Sequence, residues 1–226
     1  MSNKYGSPPI FVGLFRGEEF TELMHWLYLP IHLPKQWGLT PKLKIQMPKQ
    51  LAAQGLLEGV FAALDEYGPE WEDRYVYITA RRGYATPDNP LNRTGWHTDG
   101  FGTDDVNYIW SDRYPTRWLD MPSVHPYISE DHAESLVQFE QLSTDLAHRV
   151  QSVKPHGIYR LSPYVIHTTP IIPESGGMRS WVKVSISKHK YNLIGNSHNY
   201  ELDYDWEMVE RDTVRNDPAK GQMDFA

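Results

Sequence analysis

Apolar and polar positions divide this chain into an N-terminal part with helical spacing and a longer part with strand spacing. Ile10 to Phe15 is a short apolar run that fits either a buried strand or the start of a helix. Glu18 to Leu29 carries Phe20, Leu23, Met24 and Leu27 at intervals of three and four, which predicts a helix. Pro30, Pro34 and Pro41 then predict a loop. From Pro48 to Tyr67, one stripe of Leu51, Gly55, Leu56, Val60, Leu64 and Tyr67 predicts a second helix. A proline opens it and Gly68-Pro69 stops it.

From Arg74 the period changes. Tyr75 to Arg81 is rich in β-branched and aromatic residues and predicts a strand. Asn107–Ser111, Pro115–Leu119, Gly157–Leu161, Tyr164–Thr168 and Trp181–Ser187 follow as further strands, separated by turn signals. Ser129 to Leu142 fits a helix capped at Ser129 or Asp131. Beyond Tyr191 the chain turns polar, with one short helix expected around Trp206–Arg211 and a loose tail over 212–226. The fold class expected is mainly β with supporting α, a sandwich or jelly roll with N-terminal helices packed on the sheet. One domain covers 1–226: helical support over 1–73, the core over 74–190, and a C-terminal extension over 191–226.

Composition narrows the chemistry. With 40% hydrophobic and 13% aromatic residues the chain has material for a real core. No apolar run is long enough for a transmembrane span, and Met1 to Pro9 lacks the plan of a signal peptide. A cytoplasmic protein without membrane contact is therefore expected. The absence of cysteine excludes disulfides, thiolate metal sites and thiol nucleophiles, so any metal must be held by His, Asp and Glu. A net charge of −7 argues against charge-driven nucleic-acid binding. It leaves open a local pocket for a nucleobase or a protein side chain.

Against that background, Gly95-Trp96-His97-Thr98-Asp99-Gly100-Phe101-Gly102 stands out. In an extended segment His97 and Asp99 project from the same face and can converge on one metal ion. Taken alone, such a pair near glycines is more often a simple turn. His132-Ala133-Glu134 is a rival, but on a helix residues two apart diverge by about 200°. A third ligand is available in His167, on an apolar strand closed by Pro170. Behind the Gly176-Gly177 turn, Arg179 opens the next strand.

This order, His-x-Asp, then a distant strand His, then an Arg entering the following strand, resembles the Fe(II)/2-oxoglutarate-dependent dioxygenases over roughly residues 74–190. The resemblance implies a double-stranded β-helix whose inner wall presents His97, Asp99 and His167 to Fe(II). It implies Arg179 as the clamp on 2-oxoglutarate, O2 as the second co-substrate, and succinate and CO2 as products. A C–H bond of a small or medium organic substrate would be oxidised. Two imidazoles and a carboxylate cover one face of an octahedral iron and leave three positions open. Arginine offers the far carboxylate of 2-oxoglutarate a bidentate fork.

One departure is visible. Many members carry Ser or Thr two residues beyond the clamp, where this chain has Trp181. A supporting hydroxyl is then expected from Tyr77, Thr79 or Tyr108. Arg93, Trp110 and Tyr108 are candidates for substrate contact, and Arg81, Arg82 and Arg160 for a cationic lining; each also fits a structural role. Two other readings stay open: a cupin-like metal enzyme without 2-oxoglutarate, and a non-catalytic jelly-roll binding module in which the three residues do not converge.

Overall fold

The computed structural model describes residues 4–15, 20–34, 44–123 and 126–211. Its elements, in chain order, are β1 (Ile10–Leu14), β2 (Met24–His32), α1 (Lys49–Ala52), α2 (Leu56–Tyr67), β3 (Tyr75–Ala85), β4 (Val106–Ser111), β5 (Arg117–Leu119), α3 (His132–Asp145), β6 (Val150–Ser152), β7 (Gly157–Leu161), β8 (His167–Thr168) and β9 (Gly177–Ser187). Among the described residues the strands form two antiparallel sheets, one ordered β1-β7-β4-β9-β3-β2 and a smaller one ordered β6-β5-β8. His97 adds itself to β8 as an isolated antiparallel bridge with His167.

The large sheet has two chemically different faces. Directly paired residues in an antiparallel sheet share a face, and successive residues alternate. On one face lie Val76, Ile78 and Ala80 of β3, Val182, Val184 and Ile186 of β9, and Val106, Tyr108 and Trp110 of β4. All are buried beneath α2, whose Leu56, Val60, Ala63 and Leu64 complete the main core. The opposite face carries Thr79 and Arg81 of β3, Arg179, Trp181, Lys183 and Ser185 of β9, and Asn107 and Ile109 of β4. Strand β9 is buried almost throughout, yet alternates apolar and polar side chains. Its polar half must therefore find partners inside the protein.

A smaller cluster, including Ile109, Leu161, Val165 and Trp181, packs on that second face. Beyond the small sheet, α3 packs Phe139 and Leu142 against Leu119 and Ile166. Asp131 caps α3, its side chain accepting from the backbone of Glu134 at 2.9 Å.

Three expectations are corrected. The stretch from Phe20 to Leu29 is not helical: β2 pairs along β3, from Met24↔Arg82 to His32↔Val76, so sheet pairing overrides the helical spacing. The second helix is broken, because Gly55 adopts φ 73° and separates α1 from α2. No helix forms over residues 206–210; instead Val209 bridges to Leu193. Residues 212–226, expected as a loose tail, lie outside the described residues, as do 16–19 and 35–43.

Tyr108 and Trp110 are also corrected as substrate contacts. Both point to the helix-covered face. The Tyr108 hydroxyl bonds to Glu66 of α2, and Trp110 Nε1 donates to the Phe15 carbonyl at 2.8 Å. Arg160 pairs with the same Glu66 at 3.2 Å, and Arg82 donates to Ser180 Oγ. Trp110→Ala is thus expected to open a core void and cost about 3–5 kcal/mol in urea unfolding. A substrate-contact role would instead leave the unfolding midpoint unmoved.

Candidate metal centre

His97 and His167 face each other through a reciprocal backbone pair: His97 N donates to His167 O at 3.0 Å, and His167 N to His97 O at 2.9 Å. Such a pair sets both side chains on one face of the small sheet. The rings come to rest with centroids 4.5 Å apart. The chain reaches this bridge through Gly95 at φ 84°, a conformation that glycine accepts without strain. Trp96 N is held by Glu140 of α3 at 2.8 Å, which fixes the approach.

Asp99 completes the group. Its Oδ1 lies 4.0 Å from His97 Nε2 and its Oδ2 lies 3.7 Å from His167 Nε2. The three ligand atoms fall within 4.8 Å of one another. Each imidazole also bonds through Nδ1 to a carbonyl two residues back, His97 to Gly95 O at 2.8 Å and His167 to Val165 O at 3.0 Å. A carbonyl can only accept, so the proton sits on Nδ1 and the Nε2 lone pair faces Asp99. Burial pushes His97 down to about 3, with His167 adding to the shift. Burial likewise lowers His167. Both rings are neutral at pH 7 and ready to donate to a cation. This donor set suits a divalent metal held on one face with positions left open.

Lys183, unassigned by the sequence reading, occupies the heart of this group. It is buried, and its ammonium lies 2.9 Å from Asp99 Oδ2 and 3.0 Å from the Tyr28 hydroxyl. Burial alone would raise the Asp99 carboxyl, but Lys183 and the two imidazoles outweigh it and hold it well below the usual carboxylate range. Burial alone would lower Lys183, but Asp99 and Tyr28 keep it raised. Tyr28 reaches this point from an irregularity in β2, with φ 45° and its N–H bonded to Thr79 Oγ1 at 3.0 Å. The available signal was parity: Lys183 follows Arg179 and Trp181 on the same face of β9.

The triad opens on a cavity of about 650 Å³, within the range of small-molecule sites. Arg81, Arg93, Thr79 and Trp181 line it. Tyr77 does not; its hydroxyl donates to the His189 carbonyl. Arg179 is placed differently from the clamp that the resemblance implies. It is fully buried and does not line the cavity. Its Nε donates to Tyr114 O at 3.0 Å, and its Nη1 to Pro90 O and Asn92 Oδ1, both at 2.7 Å. These bonds brace β9 against the loop preceding the metal group. Burial lowers Arg179 to about 10.

His132 and Glu134 lie on the first turn of α3, where Glu134 accepts from Ser129 Oγ at 2.7 Å. Asp104, Asp105 and His189 form another close group. Its carboxylates are already engaged: Asp104 by Lys188 at 2.6 Å and Arg74 at 3.4 Å, Asp105 by the Tyr191 hydroxyl at 2.6 Å. Among the described residues, no helix is long and apolar enough to cross a membrane.

Fold and site together define a β-rich protein with a candidate metal-binding centre. No protein-family model matches the chain, and no curated protein matches it. Among solved structures it is similar to a bsmA homolog from Methylobium petroleophilum PM1, at 14% identity and a TM-score of 0.35, over 74% of this chain and 65% of that one. The chain thus spans slightly less than two thirds of that protein, and so distant a likeness carries no argument about chemistry.

Replacing Lys183 tests its place beside Asp99. In metal-free protein, Lys183→Met leaves a buried carboxylate uncompensated and should cost about 3 kcal/mol. Saturating Mn(II) then restores a charge at the same place, so its calorimetric stabilisation should be larger in the variant than in the wild type. Equal stabilisation of the two proteins would show that Lys183 does not neutralise Asp99.

Proposed function

We propose that this chain is an Fe(II)- and 2-oxoglutarate-dependent oxygenase on a double-stranded β-helix. The observation that carries the reading is the convergence of His97, Asp99 and His167 on one cavity with both Nε2 atoms forward. A facial set of two imidazoles and one carboxylate is the donor pattern of non-haem iron oxygenases. The strand order supports the fold: from β3 onward the chain crosses between sheets at every step except β5 to β6, giving β7-β4-β9-β3 in one and β6-β5-β8 with His97 in the other. That back-and-forth path is the one a jelly roll follows.

With iron and 2-oxoglutarate bound, O2 would be the oxidant, taking two electrons from 2-oxoglutarate as it becomes succinate and CO2 and two from a C–H bond of the substrate. The chain's own residues would hold and orient. His97, Asp99 and His167 would bind the metal, and Lys183 would keep one Asp99 oxygen turned away from it. The far carboxylate of the co-substrate needs a cation with open donors. Arg81 fits that need better than Arg179 because it lines the cavity and Arg179 does not. Arg81 gives Nη1 to Leu91 O at 3.0 Å, and among the described residues each guanidinium keeps one buried nitrogen without a partner, Nε in Arg81 and Nη2 in Arg179. On β3 Arg81 pairs directly with Trp181, the residue where many relatives carry a hydroxyl.

A metal enzyme that does not use 2-oxoglutarate is the second reading, favoured by one observation: Arg179 is fully buried off the cavity wall, with its Nε and Nη1 engaged by the protein. Anaerobic addition of Fe(II) and then 2-oxoglutarate separates the two. The oxygenase should develop the weak visible charge-transfer band of a chelated keto acid, decaying with O2 as succinate appears. Iron uptake without a band would favour the second reading, and no iron uptake would leave a binding module.

Arg81→Met should keep iron and weaken 2-oxoglutarate at least tenfold, an expectation of about 1.4 kcal/mol or more. Arg179→Met should instead lower stability by about 3 kcal/mol, because three buried oxygen acceptors lose a charged donor. The reverse outcome in these two variants would return the clamp to Arg179.

A further inference from the structure

The cavity carries a charge opposite to that of the protein around it. Acidic residues outnumber basic ones by 29 to 22 over the whole chain. The cavity lining reverses this, with five cations (Arg81, Arg93, Lys183, Lys190 and Arg211) against three carboxylates (Asp88, Asp99 and Asp105), a surplus of two. Two of those carboxylates are already engaged, Asp99 by Lys183 and Asp105 by the Tyr191 hydroxyl. Among the described residues, no ion pair within 4.0 Å engages Arg81, Arg93 or Lys190. Arg211 is bonded to the neutral Asn196 Oδ1 at 2.7 Å. Cations that outnumber the carboxylates around a shared cavity repel one another, a cost that a bound anion removes.

The metal and co-substrate do not cancel this surplus. A divalent ion adds two positive charges, and 2-oxoglutarate, a dianion, takes two away. The lining surplus remains for a further ligand. Its location is also apparent. Arg93, on the loop before His97, is exposed, and its charge acts on both His97 and His167. Lys190 is exposed on the segment that follows β9. Both line the cavity, so two separate chain segments bring cations to its rim.

We infer that the substrate is itself an organic anion, its carboxylate, phosphate or sulfate group held at the rim by Arg93 and Lys190 while Arg81 serves the co-substrate. The inference rests on the oxygenase reading for the assignment of one anion to 2-oxoglutarate. The cationic lining itself does not depend on that reading.

Isothermal titration of the full, Mn(II)-loaded chain at low salt tests it, with and without saturating 2-oxoglutarate. Suitable probes are acetate, phenylacetate and phenyl phosphate beside their uncharged counterparts acetamide, phenylacetamide and phenol. The expected result is that acids bind at least tenfold tighter than neutral counterparts while 2-oxoglutarate is bound. Arg93→Gln together with Lys190→Gln should erase the difference while leaving the Fe(II)/2-oxoglutarate band intact.

Equal binding of acids and neutral counterparts, or no binding of any acid, would overturn the inference. So would loss of the acid preference once 2-oxoglutarate is present, since the cations would then belong to the co-substrate. If no charge-transfer band forms, the oxygenase reading fails by itself. The acid preference measured without 2-oxoglutarate then decides the anion site, standing if the double variant erases it and falling if it does not.

Discussion

Two backbone hydrogen bonds between His97 and His167 hold the candidate centre together. They are an ordinary antiparallel pair, yet they join segments far apart in the chain and set two imidazoles on one face. The remaining placements depend on that bridge. Asp99 follows His97 by two residues, at a turn, and its carboxylate comes within 4.0 Å of His97 Nε2 and 3.7 Å of His167 Nε2. The Nδ1 bonds to Gly95 O and Val165 O use carbonyls of the same two segments, so the backbone that places each ring also selects its tautomer. No separate outer layer of carboxylates is needed to orient these ligands.

The large sheet makes the complementary contribution. Its helix-covered face provides the apolar burial, so the opposite face is released from that task and can carry Thr79, Arg81, Arg179 and Lys183. Buried cations are tolerated there because each has a specific arrangement. Lys183 is neutralised by Asp99, and Arg179 gives its Nε and Nη1 to backbone and amide oxygens. Among the described residues Arg81 is in no ion pair, and it lies on the cavity wall. The difference between a brace and a binding group is thus access to the cavity, which Arg81 has and Arg179 lacks.

How much of this was legible in sequence depended on the range of the information. His97 and Asp99 could be read because their convergence is local, and His167 because an apolar strand ending in proline frames it. The strands from Tyr75 onward were visible as β-branched and aromatic runs, although three-residue β6 offered too little pattern to register. Residues 20–29 misled because Phe20, Leu23, Met24 and Leu27 sit at helical intervals, while the structure is decided by pairing with β3. Trp110 and Tyr108 misled for another reason. Alternation shows that neighbours on a strand face opposite ways, but not which way faces the cavity, and a single step in parity sends both under α2. Arg179 and Lys183 share a face of β9, so only the surrounding loop distinguishes the braced cation from the one at the metal group.

Bulk charge misleads in a related way. A net charge of −7 describes the surface that a large polyanion would meet, and it weighs against broad electrostatic attraction. It says little about a concave wall, where low-dielectric surroundings concentrate the field of a few side chains. Here the basic residues lining the cavity are drawn from β3, the loop before His97, β9 and the segment beyond it. Elements distant in sequence contribute one or two charges each, so no basic run marks the site in the chain. The cationic lining exists only after folding, which is why an acidic protein can present a basic cavity to a small anionic ligand.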